Sequence, residues 1–356
     1  MAFFNIIIFI LYLLIFSIGI IGNCFVLLII YFEKRTKKST NILIMNLAIA
    51  DLLFILIYIP ESTTTLFGKN LLPESSCRYQ MFLTYISIFA SAYTLVLLAF
   101  DRLVAVVYPL RAIYLRTFKN TIISCCIIWI ISFIVYFFTF FLSTNDDGDF
   151  SMSKNRTSLL CFDVNKISDI LETNFNIQTL YFTFNITSYI IPLLAIIVMY
   201  TIILNFLHKI KSKKLKTTVN KQWRRRITKT IWLVIATFAI CWFPQNLRIF
   251  YIAITYKNNS KHNEYLFKTH NMIITVIFQI LAYSNYCINP VLYCLMLKRY
   301  RWYINNFWIF IRSFFINTNN AIVLQRKRSF TALKSPFNVS YPNSIGSNRS
   351  NNHTNV

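Results

Sequence analysis

The sequence predicts an all-α membrane protein, a bundle of seven transmembrane helices followed by an amphipathic juxtamembrane helix. Three observations predict this fold class. The 356 residues are 56% hydrophobic, above the roughly 45–50% apolar content of soluble domains. Seven apolar segments reach the roughly 20 residues that a helix needs to cross a bilayer. Positive charge is concentrated in alternate loops, as the positive-inside rule describes.

The seven apolar segments are numbered here as spans one to seven. They cover residues 5–32, 41–66, 77–107, 120–143, 177–207, 227–256 and 270–296. At 1.5 Å per residue, each exceeds the hydrocarbon thickness of about 30 Å. The first span is too long for a signal-peptide core and lacks a basic start and a small-residue cleavage site, so we interpret it as a retained helix.

The loops divide the net charge of +24 between two sides of the membrane. Ten Lys and Arg residues lie between Lys209 and Lys229, in the loop between spans five and six. Six acids lie between Asp146 and Glu172, in the loop between spans four and five, which is on the opposite side of the membrane. The basic side is the cytosolic side. We therefore predict a plasma-membrane protein with an extracellular N-terminus and a cytosolic C-terminus. Its basic surface faces the lipid bilayer and not a nucleic acid, because a nucleic-acid site would not divide its charge by loop parity.

The chain beyond the last span divides into two parts. In residues 297–315, basic and aromatic side chains alternate, which predicts a helix on the inner leaflet; an unstructured tail is the alternative. The Asn- and Ser-rich remainder is typical of disorder. We therefore predict a seven-transmembrane helical domain with its surface helix over residues 1–315 and a disordered cytosolic tail over residues 316–356.

Topology also separates the cysteines and the glycosylation signals. Only Cys77 and Cys161 lie on the predicted outer face, where a disulfide can form. The sequons at Asn155 and Asn258 lie on the same face and are accessible for glycosylation.

Polar side chains within the spans carry the functional signal, because an ionisable group at membrane depth is costly and faces inward by default. These residues are Asn23, Asp51, Arg102, Asn285 and Asn289. Three prolines, Pro192, Pro244 and Pro290, should bend their helices.

Short motifs occur in a fixed order along the spans. They are Gly22-Asn23, Asn46 to Asp51, Asp101-Arg102-Leu103, Tyr108-Pro109-Leu110, Cys241-Trp242-Phe243-Pro244 and Asn285 to Tyr293. Together they resemble rhodopsin-like (class A) G-protein-coupled receptors over about residues 15–305. The stretch from Ala90 to Arg116 and the motif of span seven are most similar to galanin and allatostatin-A type neuropeptide receptors.

The resemblance implies a signal that passes to a heterotrimeric G protein when helix six rearranges. It assigns switch and G-protein contact roles to Asp101, Arg102, Leu110, Tyr200, Phe238, Trp242, Pro244, Asn289, Pro290 and Tyr293. At rest, Arg102 can pair with Asp101. Many relatives also hold this arginine with an acid on helix six, but the matching position here is Arg224. Two cations repel, so we expect appreciable basal activity.

An oxygen cluster around Asp51 could hold a sodium ion, which the resemblance associates with the resting state. Its ligands would be Asp51, Ser91, Asn285 and Asn289, and Asn23 could also face the carboxylate. Hard cations prefer such oxygen donors. A water network without an ion is the alternative, because Tyr286 stands where relatives have a small residue and could crowd the site.

The ligand class follows from residues that are absent. The lysine of an opsin is replaced by Tyr283, and the aspartate of an amine receptor by Thr84. The remaining basin is uncharged, and we predict that it comprises Gln80, Thr84, Gln245, Asn246, Ile249, Gln279 and Tyr283. Amides and hydroxyls suit the backbone and the amidated terminus of a peptide, so a peptide ligand is expected.

Two other interpretations stay open. The replacement at Arg224 and the few residues ahead of span one are compatible with a constitutively active or decoy receptor. A seven-helix transporter would need an ionisable relay or repeated halves, and neither is evident. No set of nucleophile, base and metal residues predicts an enzyme. Phosphorylation of the tail, for example at Ser329, would create contacts for arrestin.

Overall fold

The computed structural model describes residues 2–32, 38–66, 77–142, 177–212, 233, 236–251, 254, 270–296, 305–306 and 309. In this part of the chain the regular elements are helices. They are α1 (Ala2–Phe32), α2 (Ser39–Leu66), α3 (Cys77–Val107), α4 (Pro109–Leu115), α5 (Phe118–Leu142), α6 (Ile177–Asn185, Ile186–Ile190 and Ile191–Ser212), α7 (236–251) and α8 (His270–Met296).

Helices α1, α2, α3, α5, α6, α7 and α8 correspond to the seven predicted spans. The described ends of the helices lie within about five residues of the predicted ones, except for α7, whose described part (236–251) lies inside the predicted span 227–256. Within the described residues, five of them are long and apolar enough to cross a membrane: α1, α2, α3, α5 and α6. Helix α8 has 27 residues, enough for about 40 Å, although it carries more buried amides. The prediction of an all-α, seven-helix membrane bundle is confirmed.

Helix α3 lies at the centre of the bundle and packs against α2, α5 and α6, while α1 packs against α2 and α8. The apolar surface outside this core is large. Ile130 and Ile134 of α5, for example, are 58% and 61% exposed. In water such a surface would be unfavourable, but in a bilayer it faces hydrocarbon, as the apolar composition of the spans requires.

Two of the three predicted proline bends have described consequences. Ahead of Pro192, residues Ile186–Ile190 form a π-helical turn inside α6, the kind of local widening that occurs where a helix loses a regular hydrogen bond. Within this turn Tyr189 donates its hydroxyl to the carbonyl of Ala239 in α7, at 3.2 Å. The widened turn thus contains a residue, Tyr189, whose hydrogen bond joins α6 to α7.

The bend at Pro290 is supported from α1. Proline lacks the N–H that would bond the carbonyl of Tyr286 four residues earlier, and Asn23 Nδ2 donates to this carbonyl at 3.0 Å. Gly22 permits the close approach, since a Cβ there would lie 3.0 Å from the Pro290 ring. The expectation that Asn23 faces Asp51 is therefore wrong, because its amide serves the broken helix.

Residues Met1–Arg301 form one compact unit and Trp302–Val356 a second. In the second unit, residues 305, 306 and 309 are helical, which agrees with the predicted surface helix but is too short a stretch to test it. The predicted division at residue 315/316, the Cys77–Cys161 disulfide and the glycosylation sites at Asn155 and Asn258 lie outside the described residues or involve side chains that are not described.

Candidate functional site: a ligand cavity above a buried polar core

A cavity that is open on one side lies between α2, α3, α6, α7 and α8. Its walls are mainly aromatic and apolar, and they comprise Phe54, Tyr58, Met81, Thr84, Tyr85, Ile88, Tyr181, Phe184, Trp242, Gln245, Ile249, Ala282 and Tyr283.

Two polar wall atoms are buried without a partner among the described residues. They are the hydroxyl oxygen of Thr84 and the Oε1 atom of Gln245. A buried polar group that makes no hydrogen bond costs free energy, so these atoms favour a ligand or water that completes them. Gln245 Oε1 can only accept a hydrogen bond, whereas the Thr84 hydroxyl can donate or accept.

Four of the seven residues predicted for ligand binding line this cavity: Thr84, Gln245, Ile249 and Tyr283. The other three are buried outside its wall. Gln279 accepts a hydrogen bond from Tyr12 of α1 at 3.2 Å, Asn246 donates to the carbonyl of Trp242 at 2.9 Å, and Gln80 is 8% exposed on α3. Helical spacing predicted the inward face correctly but not the depth or the neighbour of each side chain.

A run of aromatic rings leads from the cavity wall into the bundle. Trp242 meets the ring of Tyr286 edge-on, with centroids 6.0 Å apart, and Tyr286 stacks on Phe54 at 4.0 Å. Tyr286 is fully buried and its hydroxyl has no partner among the described residues. The side chain that the sequence analysis treated as crowding the Asp51 site thus also contacts two residues of the cavity wall.

The Asp51 carboxylate is completely buried and accepts two hydrogen bonds. Ser91 donates to Oδ1 and Asn289 to Oδ2, each at 2.8 Å. Asn285, one turn before Asn289, is 2% exposed, but the structure records no hydrogen bond between its side chain and Asp51. The carboxylate therefore joins α2, α3 and α8 through two of its three predicted partners.

At the other end of α3, Asp101 pairs with Arg116 rather than with Arg102. Arg116 binds the carboxylate through two nitrogens, at 2.7 and 3.0 Å, and Ser39 and Thr40 each donate to it at 2.8 Å. The prediction of a pair between Asp101 and Arg102 is wrong, because consecutive helical residues point to different sides. Arg116 follows α4, an element that the sequence analysis did not predict.

The remaining predicted switch residues are distributed along the bundle. Tyr200, Phe238, Trp242 and Tyr293 are buried, Phe238 lies 5.9 Å from the ring of Tyr189, and Leu110 is 78% exposed on α4. Arg102 is partly buried, close enough to Tyr200 for electrostatic interaction. Pro244 lies within α7, two residues after Trp242.

Sequence reasoning gave no role to several residues of these sites. Among them, Tyr58 lines the cavity from a segment without a recognised motif, and Arg116 ends the stretch of family resemblance but received no role. Arg248 is one helical turn beyond Gln245, a spacing that could have marked it as near the inward face. Only the structure shows which side of α7 it occupies.

This architecture, a transmembrane bundle with a cavity near one end and a charged network near the other, is that of a membrane receptor. Residues 22–293 match the model of the 7 transmembrane receptor (rhodopsin family). The chain belongs to this family. Its members are signalling receptors and not enzymes, which agrees with the absence of a catalytic motif from the sequence.

Several curated proteins are similar to the chain. A galanin-like G-protein coupled receptor of Caenorhabditis elegans is 30% identical over 80% of this chain and 69% of its own length. The allatostatin-A receptor of Bombyx mori is 27% identical over 80% of this chain and 74% of its own length. Bombesin receptor subtype-3 of Ovis aries is 32% identical over 80% of this chain and 70% of its own length.

Proposed function

We propose that this chain is a plasma-membrane receptor that is activated by an extracellular neuropeptide and signals to a heterotrimeric G protein through rearrangement of α7. The relatives, which are named as galanin, allatostatin-A and bombesin receptors, support a peptide ligand. The observation that carries the proposal is the place of Trp242, which lines the cavity two residues before Pro244. A group that enters the cavity contacts the helix that has to move.

The cavity fits one end of a peptide. Its aromatic wall would bury an apolar side chain. Gln245 Oε1 needs a donor, and the N–H groups of a peptide backbone or of an amidated terminus would supply one. These features support an amidated peptide whose remaining residues lie on the extracellular loops.

The Asp101 end of the bundle would receive the G protein. Leu110 is exposed on α4, close in sequence to Arg102, and the loop between α6 and α7 contains ten basic residues from Lys209 to Lys229. Such a surface suits a partner helix that lies in a groove. This end would be cytosolic, with the N-terminus outside. Phosphates on tail residues such as Ser329 would add contacts for arrestin.

The oxygen donors around Asp51 also fit a sodium ion. Asp51, Ser91 and Asn289 already converge, and Asn285 is buried one turn away. Bound sodium would supply the positive charge that the buried carboxylate lacks and would favour the resting state. The alternative is water alone, which the bulk of the neighbouring Tyr286 ring favours.

The test of the receptor function is a screen of amidated galanin-, allatostatin-A- and bombesin-type peptides on cells that display the chain, with G-protein activation as the readout. Thr84→Val and Gln245→Leu should each lower the potency of an active peptide by roughly 2- to 10-fold, the effect of one hydrogen bond. Leu247→Ala is the matched control, because Leu247 lies on α7 and is 52% exposed. Failure of every peptide on verified surface receptor would contradict the proposal.

A further inference from the structure

Arg248 places a positive charge beside the cavity. It follows Gln245 by one turn of α7 and precedes Ile249, and both of these neighbours line the cavity wall. Leu247 and Tyr251 face outward from the same helix, at 52% and 56% exposure. Arg248 lies between this outward face and the cavity-lining Gln245 and Ile249, and it is partly buried near the outer end of α7.

The guanidinium group of Arg248 has three tyrosines near it. Tyr58, Tyr181 and Tyr283 are close enough to interact with it electrostatically. These residues belong to α2, α6 and α8, and all three line the cavity. A cation that approaches tyrosines from three other helices must point toward the space between them.

This cation lacks a counterion in the part of the chain that the structure describes. The Nη1 atom of Arg248 is buried and makes no hydrogen bond there. The two carboxylates with described side chains are engaged elsewhere, Asp51 by Ser91 and Asn289 and Asp101 by Arg116. Arginine cannot lose its proton in a protein, so a buried guanidinium nitrogen without an acceptor is costly until an anion reaches it.

We infer that Arg248 binds a carboxylate of the peptide ligand. An Asp or Glu side chain supplies it if the terminus is amidated as proposed above, and a free C-terminus is the other source, which the test distinguishes. This inference rests on the proposed function and names a chemical group of its ligand. A carboxylate matches the planar fork of arginine and forms short, charge-assisted hydrogen bonds with it. The surrounding tyrosine hydroxyls can donate further hydrogen bonds to the same oxygens.

The signalling test compares versions of each active peptide that differ by one charge: the original peptide, an Asp→Asn or Glu→Gln version, and versions with an amidated or a free C-terminus. The version that carries the bound carboxylate should be about 10- to 100-fold more potent than its neutral counterpart. The arm that shows this difference identifies the source of the carboxylate. Arg248→Gln should abolish the difference, and Arg248→Lys should retain part of it.

A second measurement does not depend on signalling. The purified full-length receptor is heated in the presence of N-acetylphenylalanine or its neutral amide at matched concentration. The acid should raise the melting temperature more than the amide does, and Arg248→Gln should remove this difference while Leu247→Ala keeps it.

Equal effects of the two probes, or a difference that survives Arg248→Gln, would overturn the inference and point to an outer-loop acid as the partner of Arg248. A receptor that shows the expected thermal difference but responds to no peptide would instead contradict the proposed function.

Discussion

Several buried polar residues of the bundle have a partner that accounts for their position. Hydrocarbon offers no hydrogen bonds, so a polar group at depth must find them within the protein. Asn23 satisfies the carbonyl that Pro290 leaves open, and the Asp51 carboxylate accepts bonds from Ser91 and Asn289. The Asp51 carboxylate differs from the others because it is a full charge with no described cation beside it.

This difference makes Asp51 the residue to test for sodium. Asp51→Asn keeps the size of the side chain and removes its charge. If sodium binds there and favours the resting state, basal G-protein activation in wild-type membranes should fall when sodium replaces N-methylglucamine at constant ionic strength, and the variant should show no such change. Ser62→Ala is a control, because Ser62 also bonds within α2, to the Tyr58 carbonyl, but at the cavity end.

A wild-type receptor that gives the same basal signal in both salts would instead support the water network. Tyr286→Ser would then show whether the tyrosine excludes the ion. A sodium response that appears in this variant, and that Asp51→Asn abolishes, would assign the exclusion to the Tyr286 ring.

At the scale of elements, the apolar content of the spans predicted the helices and most of their ends, since length and hydrophobicity decide what can cross a bilayer. The π-turn at Ile186–Ile190 and the short helix α4 were not predicted. Both depend on local backbone geometry near a proline, at Pro192 and Pro109, and such geometry leaves no periodic signal in the sequence. The partners of buried side chains were also beyond prediction, as the pairing of Asp101 with Arg116 shows, because they depend on how the helices are rotated against each other.

The contact between α1 and α8 gives a prediction at this scale. A Cβ at Gly22 would lie 3.0 Å from Cγ and 3.1 Å from Cβ of Pro290, and a proline ring cannot rotate away. Gly22→Val should therefore push the helices apart and weaken the bond from Asn23 to the Tyr286 carbonyl. We expect a loss of about 1–3 kcal/mol in stability, the usual effect of overpacking.

The measurement is the thermal unfolding of purified receptor, together with the amount of receptor at the cell surface. Ile21→Val is the matched control, because Ile21 precedes Gly22 and is 70% exposed. If Gly22→Val had the same melting temperature as Ile21→Val, the helices α1 and α8 would be able to separate without a loss of stability.

At the scale of the whole molecule, signalling requires that the cavity and the Asp101 end respond to each other. From the cavity, packed side chains lead to the neighbourhood of Asp51: Trp242 of the cavity wall touches Tyr286, which stacks on Phe54 three residues after Asp51. At the far end, Arg116, Ser39 and Thr40 hold Asp101. A ligand can shift the balance between resting and active arrangements only by the difference in its affinity for the two.

Among the described residues, no ion pair holds Arg102 in a resting arrangement. Asp101 cannot restrain this arginine, because its carboxylate binds Arg116 instead. Sequence position places Arg224 where an acid on helix six would otherwise meet Arg102, and two cations repel. With no ion pair to break, the active arrangement should be populated without ligand, so we predict a basal signal that increases with receptor number.

Arg224→Glu should lower this basal signal by supplying the missing acid. An exposed ion pair contributes up to about 1 kcal/mol, so the expected decrease in basal G-protein activation is roughly 2- to 5-fold at equal surface expression. Arg225→Glu makes the same charge change one residue away and should have a smaller effect. If Arg224→Glu and Arg225→Glu lowered the basal signal equally, the loop charge would be acting on the membrane surface. If the wild-type receptor gave no detectable basal signal at high expression, other contacts would be holding it at rest.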